Sequence, residues 1–223
     1  MEISSGIYLI PGTMAHVYMI VEASGLTLMD TGLRYNHYKI IRYISRLGFN
    51  PHNIKNILIT HSDYDHYGSL STLRKVSQAK VYASMQDAAA MNKGESSRSL
   101  KPAGLLGILY RLTLPFFRAK PSAVDEIIRD GQILPIQDGI QVIATPGHCQ
   151  GHTSYYLPSR KILFCGDSLR SANGVLTASI QHMRYDQTLA QESVRKQAAL
   201  EPDIVCPGHG PVIFDAKRKF PAL

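Results

Sequence analysis

Alternation of apolar and polar positions divides the chain into short strands, with helical periodicity between some of them. Ile7-Tyr8-Leu9-Ile10 is stopped by Pro11-Gly12, Val17 to Val21 forms a second run, and Leu26-Thr27-Leu28-Met29 follows the turn Ser24-Gly25. That order predicts antiparallel hairpins at a sheet edge. Tyr35 to Leu47 carries Ile40, Ile41, Ile44 and Leu47 at helical spacing and closes at Gly48. Asn56-Ile57-Leu58-Ile59-Thr60 reads as a buried strand. Further strands are predicted over 80–83, 126–128, 140–144, 153–157, 161–165 and 203–206, and helices over 69–77, 86–92 and 185–200.

Residues 93–122 break this rhythm. Gly94-Glu95-Ser96-Ser97 is loop-like, and then Leu105 to Tyr110 and Leu114-Pro115-Phe116-Phe117 put apolar bulk where no core strand is expected. Pattern alone leaves two readings open, an inserted helical lid or a satellite core element.

Composition narrows the class. The chain has 223 residues, 44% of them hydrophobic, which suffices for one full core, so a single domain over 1–223 is expected. The formal net charge of +7 favours anionic substrates, but no dense Lys/Arg block precedes Lys217-Arg218-Lys219, so nucleic acid is not the expected partner. The N-terminal stretch lacks a basic segment followed by a long apolar one, and three cysteines do not make a disulfide framework. A cytoplasmic, reduced protein without a membrane span is expected, acting on a small molecule.

The chemistry gathers where apolar runs stop. The 56–60 run leads straight into His61-Ser62-Asp63-Tyr64-Asp65-His66, and later runs end at His148, Asp167 and His209. Twice the joint is Pro-Gly-His, at 146–148 and 207–209. Proline stops the ladder, glycine permits a sharp turn, and the imidazole is presented at the sheet's end. A lone histidine there is usually a satisfied polar residue. Four such endings point instead to a metal centre, since imidazole suits zinc and iron and carboxylate suits harder ions.

These motifs, in this order, resemble the metallo-β-lactamase fold superfamily. The flanks Gly151-His152-Thr153-Ser154, Phe164-Cys165-Gly166-Asp167-Ser168 and Pro207-Gly208-His209-Gly210-Pro211, with the early Asp30-Thr31-Gly32, are most similar to its glyoxalase II-like hydrolase branch. The resemblance implies an α/β, four-layer αβ/βα sandwich of two mixed β-sheets with helices on the outer faces. It implies two divalent metals: His61 and His148 on one, Asp65, His66 and His209 on the other, Asp167 between. Asp65 is also the carboxylate assigned to catalysis. Two metals about 3.5–4 Å apart would share a hydroxide that attacks the substrate. Asp30 would accept a hydrogen bond from a ligand imidazole or a backbone amide; a simple strand cap is the other reading. One position departs from the usual His-x-His-x-Asp-His opening: Asp63 stands where the second histidine belongs. It is retained as a ligand, and its hardness shifts preference from zinc toward iron or manganese.

The function implied is hydrolysis of an ester, thioester or lactone of a small substrate. Phosphodiester or phosphate-ester hydrolysis is the alternative, and a diiron redox protein with a separate electron donor is a third. Cys165 and Cys206 sit in apolar runs and are expected to pack. Cys149, His16, His37, His52, His152 and His182 are not assigned as ligands, and Tyr64 and Tyr67 are expected to pack. If 103–117 is a lid, deleting it weakens acyl-chain selectivity. The check is the ratio of rates on long- and short-chain acyl esters; a ratio unmoved by the deletion refutes the lid.

Overall fold

Neighbouring residues of one strand serve different cores, and that division builds the layers. The computed structural model describes residues 1–98, 104, 112, 114–179 and 185–221. A first sheet runs β1 (Glu2–Ser4), β2 (Ile7–Ile10), β3 (Val17–Glu22), β4 (Gly25–Met29), β5 (Ile54–Leu58), β6 (Lys80–Ala83) and β7 (Glu126–Ile127), neighbours in that order. Its first four strands pair antiparallel and β4 to β7 pair parallel. The second sheet contains β8 (Ile133–Leu134), β9 (Ile140–Ala144), β10 (Thr153–Leu157), β11 (Ile162–Gly166), β14 (Ile204–Pro207) and β15 (Ile213–Phe214), in the order β15-β14-β11-β10-β9-β8. Only its β11–β14 pair is parallel. Between them in sequence, β12 (Leu169–Ala172) and β13 (Val175–Ala178) form a separate hairpin.

The inner faces meet in one buried cluster. Tyr18, Ile20, Met29 and Leu58 of the first sheet pack there with Val142, Tyr155, Leu157, Phe164 and Cys206 of the second. Adjacent residues point outward. Leu28, Ile57 and Val81 join Ile40 and Ile44 of α1 (His37–Arg46) and Leu70 and Leu73 of α3 (Leu70–Ser77), while α4 (Met85–Met91) adds Met91. On the far side Ile143, Tyr156, Leu163, Cys165 and Val205 cover Val194 of α5 (Gln187–Ala198). Helix, sheet, sheet, helix is the four-layer αβ/βα sandwich of two mixed sheets.

Most predicted elements are present with ends shifted by one or two residues. The β12–β13 hairpin was not predicted, although Asn173-Gly174 at its tip, both at positive φ, is a two-residue hairpin turn of the usual kind. A four-residue helix, α2 (Tyr64–Tyr67), also lies inside the ligand stretch. Most of the apolar stretch 103–117, on which the lid reading rests, lies outside the described residues. Among the described residues, no helix is long and apolar enough to cross a membrane.

A backbone crossing next to His61 ties the two sheets together. Just past β5, Ile59 N donates to Tyr82 O within the first sheet (3.0 Å), while the next carbonyl, Thr60 O, accepts from Thr153 N in the second (2.9 Å). Tyr155 Oη donates to Ile59 O at 2.8 Å, fully buried.

Leu58 is completely buried between the sheets. Leu58→Ala is expected to cost about 2–5 kcal/mol in urea unfolding, the usual range for such a cavity. Tyr38→Ala, at a position 69% exposed, should stay within about 0.5 kcal/mol; equal costs for the two would contradict this packing.

Candidate metal centre

Four of the proposed ligands follow the end of a strand. His61 follows β5 by three residues, His148 follows β9 by four, Asp167 comes directly after β11, and His209 lies two residues past β14. Asp65 and His66 sit on the short α2 helix, which keeps both at the same edge. The seven side chains converge. His61, Asp63 and His148 form one group of ligand atoms, and Asp65, His66 and His209 another. Asp167 reaches both: Oδ1 is 3.3 Å from His66 Nε2, and Oδ2 is 3.5 Å from His209 Nε2 and 3.8 Å from His148 Nε2. Asp65 Oδ2 lies 3.3 Å from His209 Nε2.

The close approach demands small neighbours. A Cβ on Gly208 would come 2.4 Å from Asp167 Oδ1 and 2.7 Å from the His66 ring. Gly166, at φ +47, would place one 2.8 Å from His152 Nε2. In both Pro-Gly-His and Gly-Asp the glycine lets backbone pass against the cluster.

Supporting hydrogen bonds hold the ligands. Asp30, at φ +60, is in the left-handed region that costs a non-glycine residue energy. Its carboxylate accepts from Thr60 N (2.8 Å), Thr60 Oγ1 (2.7 Å) and His66 Nδ1 (2.8 Å). A proton on Nδ1 leaves Nε2 of His66 as a lone pair aimed at the cluster. His152 is fully buried beside the ligands. Its Nε2 accepts from Asp167 N (3.0 Å), and its Nδ1 lies 2.8 Å from Thr145 Oγ1. Burial, with His61 and His148 alongside, holds its pKa well below the ordinary imidazole value. His16 braces the last turn: its amide donates to Gly208 O (2.8 Å), and its Nδ1 lies 3.0 Å from Pro207 O, which also accepts from Tyr18 Oη.

The electrostatics favour positive charge at the centre. Burial opposes charge on His66, yet Asp167, Asp65 and Asp30 push its pKa well above the usual value. Burial would raise the Asp167 carboxyl, but His66, His61 and His209 hold it well below the carboxylate range. Asp63 is held low in the same way, by His148, His61 and Arg98. His61 Nε2, His66 Nε2, His148 Nδ1 and Asp167 Oδ1 are buried without a hydrogen-bond partner among the described residues. Buried donor and acceptor atoms are rarely left so. Imidazole nitrogens and carboxylate oxygens that converge, lack partners and favour positive charge fit divalent metal.

The cluster opens into a cavity of about 190 Å³ lined by Asp63, Asp65, His148, Asp167 and His209 together with Arg98, Arg170 and Ser179. Neither arginine was singled out from the sequence, nor was Asp87. Buried Asp87 accepts from Ser62 N, Ser62 Oγ, Ser84 Oγ and Ser97 Oγ. Arg98 meets Asp63 from 35 positions away, and of the serines on Asp87 only Ser84, which caps the same helix, is near it in sequence. Tyr67 packs in the core, its hydroxyl donating to Glu95 O. Cys165 and Cys206 are fully buried with thiol pKa values pushed up by burial, and Cys149 behaves likewise. His182 lies outside the described residues.

Comparison with known proteins agrees with this geometry. The family model for the metallo-beta-lactamase superfamily matches residues 10–209. The chain is 25% identical to the "Probable metallo-hydrolase YflN" of Bacillus subtilis (strain 168), covering 94% of this chain and 85% of that protein. A hydroxyacylglutathione hydrolase of Mesorhizobium japonicum is 41% identical over a shorter region, 37% of this chain and 31% of that protein. Among solved structures, a metallo-beta-lactamase family protein from Thermus thermophilus shares the fold, with a TM-score of 0.74 at 23% identity over 98% of this chain and 78% of that one. Strand-end histidines and aspartates converging on one edge of this sandwich, with a family match spanning nearly all of it, lead to one conclusion: the chain belongs to the metallo-beta-lactamase superfamily and is a metal-dependent hydrolase.

Proposed function

We propose that the chain hydrolyses an ester, thioester or lactone of a small substrate, using two divalent metals. One would be held by His61, Asp63 and His148 and the other by Asp65, His66 and His209, with Asp167 shared. Bound there, the metals supply a water activated near neutral pH and polarise the group under attack. The observation that carries this reading is that His61, His66 and Asp167, one group of potential ligands, each keep a buried ring nitrogen or carboxylate oxygen without a hydrogen-bond partner among the described residues.

The chain's own groups divide the remaining work. Asp30 fixes the tautomer and orientation of His66, and His152 fixes the backbone of Asp167. Asp65 has a side chain 25% exposed and lines the cavity. The carboxylate oxygen that does not bind metal would take the proton from the attacking water. The cavity is small enough to admit the reacting end of a substrate, with the remainder outside it. An acyl bond as the target is supported by the hydroxyacylglutathione hydrolases among the relatives, including one from Rhodobacter capsulatus at 30% identity over 70% of this chain. Asp63 supports iron or manganese as well as zinc, because it adds a hard oxygen donor where the family pattern has imidazole.

Protein reconstituted separately with zinc, iron and manganese should cleave an aryl ester, a thioester or a lactone faster than a bis-aryl phosphate. Chelation should abolish that activity and metal restore it. Faster turnover of the phosphate would reassign the chain to phosphodiester chemistry. Asp30→Asn should weaken metal binding about 10–100-fold, the usual effect of removing a partner behind a ligand imidazole. Competition with a chromophoric chelator measures it; an unchanged constant would make Asp30 a strand-end support only.

A further inference from the structure

The two halves of the centre are not equivalent, and the difference lies in one carboxylate. Asp63 has both oxygens engaged. Its Oδ1 accepts from Ser96 Oγ at 2.6 Å and from Arg98 Nε at 3.4 Å. Its Oδ2 accepts from Arg98 Nη2 and from His148 Nε2 at 3.3 Å. A carboxylate offers roughly four lone-pair sites, so Asp63 is saturated. The oxygen that faces His61 and His148 is the same Oδ2 that the guanidinium grips. Asp65, the corresponding carboxylate of the other half, pairs among the described residues with imidazoles alone: His209 Nε2 at 3.3 Å and His66 Nε2 at 4.0 Å.

Arg98 is held in place by the scaffold. Its amide donates to Ser96 Oγ (3.0 Å), Ser97 N donates to Ser62 Oγ (2.8 Å), and Ser97 Oγ donates to buried Asp87 (2.8 Å). Ser62 lies between His61 and Asp63, so the segment carrying Arg98 is tied to the ligand loop itself. The ion pair is nearly dry, with side chains 11% and 9% exposed. There a charge pair is screened little, and breaking it leaves a costly unpaired group.

We infer that Arg98 makes the two metal sites unequal. The guanidinium must yield Oδ2 before a cation can take the His61–Asp63–His148 half, so that half fills second and more weakly than the Asp65–His66–His209 half. Two effects act in the same direction. Arg98 occupies the lone pair that the cation requires, and it places a positive charge beside the position the cation would take. Arg98 is thus a positioning residue that acts through Asp63. It substitutes for a cation at low metal concentration and makes the doubly loaded state a function of metal supply. This rests on the metal-centre reading above.

The test titrates the metal-free full chain with Mn²⁺, and separately with Zn²⁺, against a chromophoric chelator, with elemental analysis of the dialysed protein as a second readout. Wild type should show two stepwise constants at least about tenfold apart. Arg98→Met, of similar length and uncharged, should strengthen the weaker one by about tenfold or more and leave the stronger one in place. Arg98→Lys, which keeps the charge without the fork, should fall between them, and it serves if the methionine variant does not fold. In an Asp63→Asn background, replacing Arg98 should have a much smaller effect, because the pair through which it acts is gone. Two equal constants in wild type would overturn the inference. So would an Arg98→Met protein whose weaker constant is unchanged or poorer, which would make Arg98 a support for Asp63 as a ligand. No metal uptake by any form would instead remove the metal-centre reading itself.

Discussion

Asp30, Asp63 and Asp167 are each less than one-tenth exposed and lie in one cluster. Carboxylates so close and so dry repel one another and lose their hydration, and they persist only where cations or donors compensate them. Each supporting feature of the site supplies such compensation. Thr60 and the His66 ring N–H satisfy Asp30, Arg98 and Ser96 engage Asp63, and three imidazoles draw down Asp167. The remaining demand for positive charge falls where His61, His66 and Asp167 keep ligand atoms without partners among the described residues. The same imbalance that burdens the fold suits the centre to a cation.

The sandwich holds this cluster because its sheets are joined immediately before the ligands begin. The backbone at 59–60 bonds to one sheet through an amide and to the other through the next carbonyl. His61 therefore starts from a point fixed to both layers. His148, Asp167 and His209 are carried by the second sheet, and the turn before His209 is also braced by His16 and by Tyr18 of the first; at Gly166 and Gly208 the missing side chain permits the close approach. Ligand geometry is thus set by backbone ladders, and side-chain freedom contributes little to it.

Much of this was legible in the sequence because it is written locally. Apolar runs such as 140–144 and 153–157 state strand length directly, and a run that ends in Pro-Gly-His states where a ladder stops and what it presents. The order of His61, His148, Asp167 and His209 carried the family resemblance, and with it the layer arrangement that strand patterns alone do not determine. The features that escaped depend on distance in the chain or on weak local contrast. Arg98 meets Asp63 across 35 positions. Asp87 gathers serines from either side of it. The β12–β13 hairpin carries Arg170, Ser171 and Thr177, too polar to register as strands, so its Asn-Gly tip passed without flanks to mark it. His152 was given no role from the sequence, because its partner is the amide of Asp167, fifteen positions away.

Asp87 has a consequence for how this protein can vary. Its carboxylate joins Ser62, inside the ligand loop, to Ser97, at the threshold of the segment that follows. Insertions or exchanges beginning after residue 98 leave that junction whole. Those beginning a few residues earlier would pull directly on the chain between His61 and Asp63. The boundary between what evolution or an engineer can swap and what must stay constant therefore falls at a serine.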